Sequence, residues 1–297
     1  MTAPSGVTRS GSVASHLLAV PASASVQALA LAWYPQARWT REPVTAAAAT
    51  AGLSQPRGAR FRGMSAVADA QPGELELEPG VVLTGPHPLE AERCHALGLT
   101  AAKVDGYEVR VDGDPVDRGV RLRRWLVAAA RHARGAVLEE GSVAPLTLDH
   151  RRSVNRHLYS AHALSPEVAL ALVRTVLVQA TLETVGSAAP GPQDYEIVTH
   201  TPYDGSVVVR CEHADRLPPA LGTVPWRDSG PFRYTVRWLS GDAYPADSED
   251  ASNLHHIARR RMAPVVVAVV AVMRTSIAGT VLDDDGFICQ DPGQGTG

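Results

Sequence analysis

Three short stretches occur twice in this chain, in the same order, and no other feature restricts the possible folds as strongly. His16-Leu17 followed by Ala28-Leu29-Ala30-Leu31 matches His157-Leu158 followed by Ala169-Leu170-Ala171-Leu172. Tyr107-Glu108-Val109-Arg110 resembles Tyr234-Thr235-Val236-Arg237, and Gly135-Ala136-Val137-Leu138-Glu139-Glu140 resembles Gly279-Thr280-Val281-Leu282-Asp283-Asp284. One such match is expected by chance in an alanine-rich chain. Three in one order imply an internal duplication, and a repeat fixes the unit of folding before local propensity is considered. The separations are unequal, which requires insertions. Residues 45–73, rich in Gly, Pro and Ala, and residues 242–252 read as surface loops and supply them. The expected organisation is a tail over 1–15, a first half over 16–148, a linker over 149–155, a second half over 156–290 and a tail over 291–297.

Each half reads as strand, helix, strands, helix, strand. In the second half, 156–161 reads as a strand, and Ser165 as N-cap with Pro166 in the first turn opens a helix running to about residue 184. Residues 195–200 and 206–211 alternate apolar and polar side chains around Pro202-Tyr203-Asp204-Gly205, a hairpin pattern. A strand over 232–239 and a helix over 253–276 follow, with Pro264 kinking that helix or starting its second segment. In the first half, 26–33 fits a helix or a strand, while 89–97 and 122–133 read as helices. This order predicts an α+β protein of two tandem, internally duplicated ferredoxin-like (split βαβ) halves, with helices packed on antiparallel sheets.

Composition removes several function classes. The net charge is −3 and the pI about 6.4, so no overall field attracts nucleic acid or an anionic membrane. Aromatic residues are 5% of the chain, with no aromatic, basic strand of the kind that stacks on bases. Lys103 is the only lysine. Arginine therefore fills ordinary surface positions here, and its presence alone carries little functional weight. Cys94, Cys211 and Cys289 are far apart and form no Cys-x-x-Cys pair, so a disulfide framework or zinc knuckle is not expected. The first residues lack the apolar core of a signal peptide, and the longest apolar run, 263–273, is too short to cross a bilayer. A cytoplasmic protein without membrane or nucleic-acid partners is the expectation.

Serine-hydrolase, P-loop, His-Glu-x-x-His and EF-hand patterns are absent from the sequence. The acidic ends Glu139-Glu140 and Asp283-Asp284-Asp285 recur at matching positions, and carboxylates such as Asp283 and Asp285 are what Mg²⁺ or Ca²⁺ needs. Neighbouring strand residues point to opposite faces, however, and Asp285-Gly286 is a turn dipeptide, so no metal or other cofactor is expected. Acidic residues before each second helix (Asp112, Asp114 and Asp117; Asp242, Asp247, Glu249 and Asp250) are explained by helix capping. Arg121, Arg123 and Arg124 in one half and Arg259, Arg260 and Arg261 in the other sit early in the second helices. Of these, Arg123, Arg124, Arg260 and Arg261 are the candidates for holding an anion or a partner between the halves.

Histidines gather in the second half: His157, His162, His200, His213, His255 and His256. His200 and His213 would meet if the hairpin brought them together, with Asp204 as a third catalytic candidate. The Cys94-His95 pair lies on a helix, where consecutive residues diverge. The leading functional expectation is a non-catalytic binding or protein-interaction module for a protein partner or small anionic ligand. An enzyme built on the His/Asp group of the second half, and an inhibitor or immunity-type protein acting by surface complementarity, are the alternatives.

Overall fold

A computed structural model describes residues 15–44, 71–111, 116–183, 194–242, 244–245, 247–248 and 251–289. Most of the two expected tails, most of the first insertion, Asp112, Asp114, Glu249 and Asp250 lie outside the described residues, as does the side chain of Asp117. The first half contains β1 (Ser15–Pro21), α1 (Val26–Leu31), β2 (Arg38–Arg41), β3 (Gly73–Glu78), β4 (Val81–Pro88), α2 (Ala91–Ala96), β5 (Val104–Val111), α3 (Val116–Ala133) and β6 (Ala136–Leu138). The second contains β7 (Arg156–Ser160), α4 (Pro166–Arg174), β8 (Thr181–Glu183), β9 (Tyr195–His200), β10 (Ser206–His213), β11 (Phe232–Leu239), α5 (Asn253–Ile277) and β12 (Thr280–Asp283).

These elements build two antiparallel sheets of six strands, ordered β2-β3-β4-β5-β1-β6 and β12-β7-β11-β10-β9-β8. Read from its other edge, the second order is β8-β9-β10-β11-β7-β12, which is the first order with each strand replaced by its counterpart. The α+β class is as expected, but a split βαβ unit has four strands and each sheet here has six. The extra strands arise because the first helix of each half leads to the far edge, from which the chain returns inward through successive antiparallel strands. In the second unit this corrects the long helix expected from Ser165. Ser165 does cap it, accepting from Val168 N at 3.4 Å, but the helix ends at Arg174. Thr175 bonds back to the Leu172 carbonyl, Arg174 Nε holds the Ala180 carbonyl, and Thr181–Glu183 pairs with β9. The β-branched Thr175, Val176, Val178 and Thr181 favour that exit over continued helix.

Strand register refines the sequence matches. Leu18 pairs with Tyr107 and Val137, and Leu158 pairs with Tyr234 and Val281. The Tyr107/Tyr234 and Val137/Val281 matches therefore occupy equivalent rows, while the His16-Leu17/His157-Leu158 match is one residue out of step. In a strand one residue is a change of face. Leu18 and Leu158 are both fully buried, whereas Leu17 lies on the opposite face with Ala19, against Cys94 and Leu97 at the end of α2.

The described residues divide into two compact units. One runs to Gln27 and resumes over Gln36–Leu148; the other combines Ala28–Pro35 with the chain from Asp149 onward. In the first, α3 packs on β1 and β6 and buries Leu122, Trp125, Leu126 and Ala129, a helical stripe. In the second, α5 packs on β11, β7 and α4, and its buried stripe runs His255, Arg259, Met262, Val266, Val269, Val270, Met273 and Ile277. Pro264 lies inside α5 without ending it. It is exposed on the outward side, where the carbonyl that loses its donor is open to water. Also within the second unit, Trp33 Nε1 donates to the Asp285 carbonyl at 2.8 Å and its ring stacks on Phe287 at 6.5 Å. No helix among the described residues is long and apolar enough to cross a membrane.

Candidate functional site

Helix α5 is the element that most affects surface chemistry. Ser252 caps it by accepting from His255 N at 3.2 Å, yet the first turn holds no acidic residue and none occurs anywhere from Asn253 to Ile277. At about 100° per residue, Ile257 and Pro264 fall opposite the buried stripe, with Leu254 and Arg261 flanking them on one side and Arg260 on the other. Leu254 is 76% exposed and Ile257 45%. Arg261 Nη1 lies 3.6 Å from Asp204 Oδ1, which brings the β9–β10 turn alongside, and the Tyr203 side chain at that turn is 92% exposed. Arg260 is exposed and makes no ion pair or hydrogen bond among the described residues. The outer face of α5 and the adjoining β9–β10 turn thus bring two large apolar side chains and a tyrosine together with two guanidinium groups.

The matching arginines of the first unit are placed differently. Arg123 forms an ion pair with Glu139, Arg121 lies 3.6 Å from Glu78, and Arg124 is exposed without a partner among the described residues. Glu139, half of the first acidic end, is thereby used within its own unit.

The acidic turn after β12 is held by its own backbone. Asp283 is buried, and its Oδ1 accepts from Asp285 N at 3.0 Å and Phe287 N at 2.9 Å. Asp284 Oδ2 accepts from Asn155 N at 3.3 Å, and its Oδ1 lies 3.5 Å from His157 Nε2. Among the described residues no group of three or more His, Cys, Asp or Glu is arranged to hold a metal ion.

The hairpin separates the catalytic candidates. His200 pairs with Ser206 at the start of β10 and His213 pairs with Phe232 at its end, so at ~3.3 Å per residue they are roughly 20 Å apart. His200 Nδ1 meets Ser206 Oγ at 2.8 Å, His213 stands edge-on to Phe232, and Asp204 faces Arg261. Cys94 is buried while His95 is exposed, so that pair diverges as its helical positions require.

A different Ser, His and Asp do converge. His255, 1% exposed, has its Nδ1 3.2 Å from Ser240 Oγ and 3.1 Å from Asp242 Oδ1. A nucleophile triad needs serine on one ring nitrogen and the carboxylate on the other. Here both face Nδ1, and Nε2 is buried without a partner among the described residues. The arrangement anchors a loop. Ser240 first, and His255 after it, hold the Asp242 carboxyl below the usual carboxylate range. One turn along α5, the buried Arg259 donates to Asp149 Oδ2 at 2.7 Å and to the Ser248 carbonyl, and Arg152 donates to Asp247 Oδ2. Described parts of the 242–252 insertion and the 149–155 stretch are thus fastened to the second unit.

Sequence reasoning named Arg260 and Arg261 but missed Leu254, Ile257 and Tyr203. The signal was available: placed on a helix, 257 falls on the side away from Met262 and Val266, with 254 about 60° from it. Arg259 was grouped with its two neighbours but not named as a binding residue, and its four-residue spacing from His255 and three-residue spacing to Met262 put it on the buried stripe. Comparisons of the chain with protein-family models, with curated proteins and with solved structures found no match.

Proposed function

We propose that this protein is a non-catalytic binding module that recognises an acidic, amphipathic segment of a partner protein on the outer face of α5. The observation that carries this reading is the exposure of Leu254 and Ile257 on a helix that bears Arg260 and Arg261 and no carboxylate. Apolar side chains give such a contact its area, and guanidinium groups choose the sign of the partner and fix its register. Tyr203 adds an aromatic anchor of the type favoured at protein interfaces. The loop-anchoring geometry of Ser240, Asp242 and His255, and the backbone-bound Asp283, support a scaffold role for these groups. Arg123 and Arg124 on α3 are a second anion-binding position under the same reading. The shared strand order and equivalent Leu18 and Leu158 rows support descent of both units from one split βαβ ancestor enlarged by a hairpin. Three free cysteines suit a reducing cytoplasm.

The test uses a labelled peptide with Leu and Glu at helical spacing and a control with Lys in place of Glu, read by fluorescence anisotropy. The Glu peptide is expected to bind, more weakly as salt rises. Binding should fall by about tenfold or more in Leu254→Asp/Ile257→Asp and in Arg260→Glu/Arg261→Glu. Equal binding of the Lys peptide, or variants indistinguishable from the parent, would reject the assignment.

A further inference from the structure

We infer that a cleft at the end of β11, in the second unit, binds a zwitterionic small molecule of the amino-acid type, with its carboxylate on Arg237 and its ammonium on Asp247. The cleft exists because β11 outruns β7. Their last paired residues are Val236 and Arg156, and beyond them Asn155 Oδ1 takes the Trp238 N–H at 2.9 Å in place of a strand. The space left measures about 430 Å³, and Asn155, Arg237, Leu239, Tyr244, Asp247 and Asp284 are among its lining residues. That is within the size range of small-molecule sites.

The charges in this cleft are unevenly spent. Arg237 is exposed and makes no hydrogen bond or ion pair among the described residues, so its whole donor fork is open. Because Asn155 turns its oxygen to Trp238 N, its amide NH₂ remains a second donor. On the acceptor side, Arg152 Nε and Nη2 both bond to Asp247 Oδ2, at 3.1 and 2.6 Å, and the carboxyl also accepts from its own backbone N–H, which leaves lone pairs for a ligand's ammonium. The same Arg152 holds the Asp247 carboxyl below the usual carboxylate range, which keeps it charged. Asp284 is already engaged through both oxygens with Asn155 N and His157.

A ligand with only negative charge would meet Asp247 and Asp284 beside Arg237, and one with only positive charge would meet Arg237. A molecule carrying both groups matches the lining, with Leu239 and Tyr244, 43% and 42% exposed, covering an apolar side chain. This site is separate from the peptide-binding face proposed for α5.

Isothermal titration calorimetry on the full chain tests the inference with L-phenylalanine, L-leucine, N-acetyl-L-phenylalanine and L-phenylalaninamide. At least one free amino acid is expected to saturate one site, and blocking either charge of phenylalanine should weaken binding by about tenfold or more. Arg237→Gln should erase the preference for a free carboxylate and Asp247→Asn the preference for a free ammonium, each with an unchanged circular dichroism spectrum. Leu254→Asp/Ile257→Asp should leave this binding intact, which separates its fate from that of the α5 face. Absence of saturation up to about 10 mM of either amino acid, equal affinity for the blocked compounds, or unaltered binding by Arg237→Gln overturns it.

Discussion

The Arg259–Asp149 pair predicts an asymmetry that most ion pairs do not show. The Arg259 side chain is 3% exposed and that of Asp149 32%, so the two ends stand in different solvents. Arg259→Met keeps much of the aliphatic stem and removes the buried charge. It also removes a guanidinium whose Nε is buried without a partner among the described residues. Asp149, left behind, regains water and still accepts from Arg151 N at 2.9 Å. The expected loss is about 1–3 kcal/mol, that of charge-assisted hydrogen bonds near a surface. Asp149→Ala does the reverse, leaving the guanidinium buried with the Ser248 carbonyl and the more distant charge of Asp247 among the described residues, and the expected loss is about 3–5 kcal/mol. The double variant should lie close to Arg259→Met alone, because the uncompensated charge is gone. Urea unfolding followed by circular dichroism measures all three. If Arg259→Met proves as costly as Asp149→Ala, or if the two effects add, the argument from burial fails.

Three further outcomes follow from the same geometry. Burial pushes the Cys211 and Cys289 thiols up to about 11, so both should resist iodoacetamide at pH 8 in the folded protein and react after unfolding, as peptide mass mapping would show. The Asp247 carboxyl is depressed in the folded state, so its ion pair stabilises above the ordinary value of 3.8 and fades as pH falls through the lower folded value. The stability gap between the parent and Arg152→Gln, read by thermal melts, should therefore be present at pH 7 and shrink as pH falls below 3.8. At the acidic turn, Asp283→Asn keeps the oxygen that accepts from Asp285 N and Phe287 N, so it should cost under about 1 kcal/mol, whereas Asp283→Ala should cost about 1–3 kcal/mol. Added Mg²⁺ or Ca²⁺ should shift neither melt.

The fold was legible where pattern and burial agree. The β9–β10 hairpin, β11 and α5 follow the expected boundaries because alternation and helical spacing report directly which side chains face the core. The short edge strands were not legible. Thr181–Glu183 is exposed throughout, so no burial signal distinguishes it from the end of the preceding helix. The one-residue slip in the first repeat has a similar origin: His16-Leu17 copies His157-Leu158 in letters, whereas the side chain buried against Tyr107 and Val137 is Leu18. For the site, runs of charged letters drew notice, although burial separates Arg259 from Arg260 and Arg261. The Arg237 cleft escaped because it depends on where β7 begins, which is a property of pairing.

The position of β1 within its sheet has a consequence for synthesis. Within its sheet this strand is made first, yet its neighbours there are the last two: Ser15 pairs with Arg110 and Leu17 with Leu138. The second unit repeats the pattern, with β7 waiting for β11 and β12. An emerging chain therefore carries an apolar strand, Leu18 and Val20 included, that stays unpaired on both sides until almost its entire unit has left the ribosome. Sheets closed by such distant partners form late and slowly. A ribosome stalled before Ala136 would release a first unit whose intended inner strand is a bare edge, open to any passing strand.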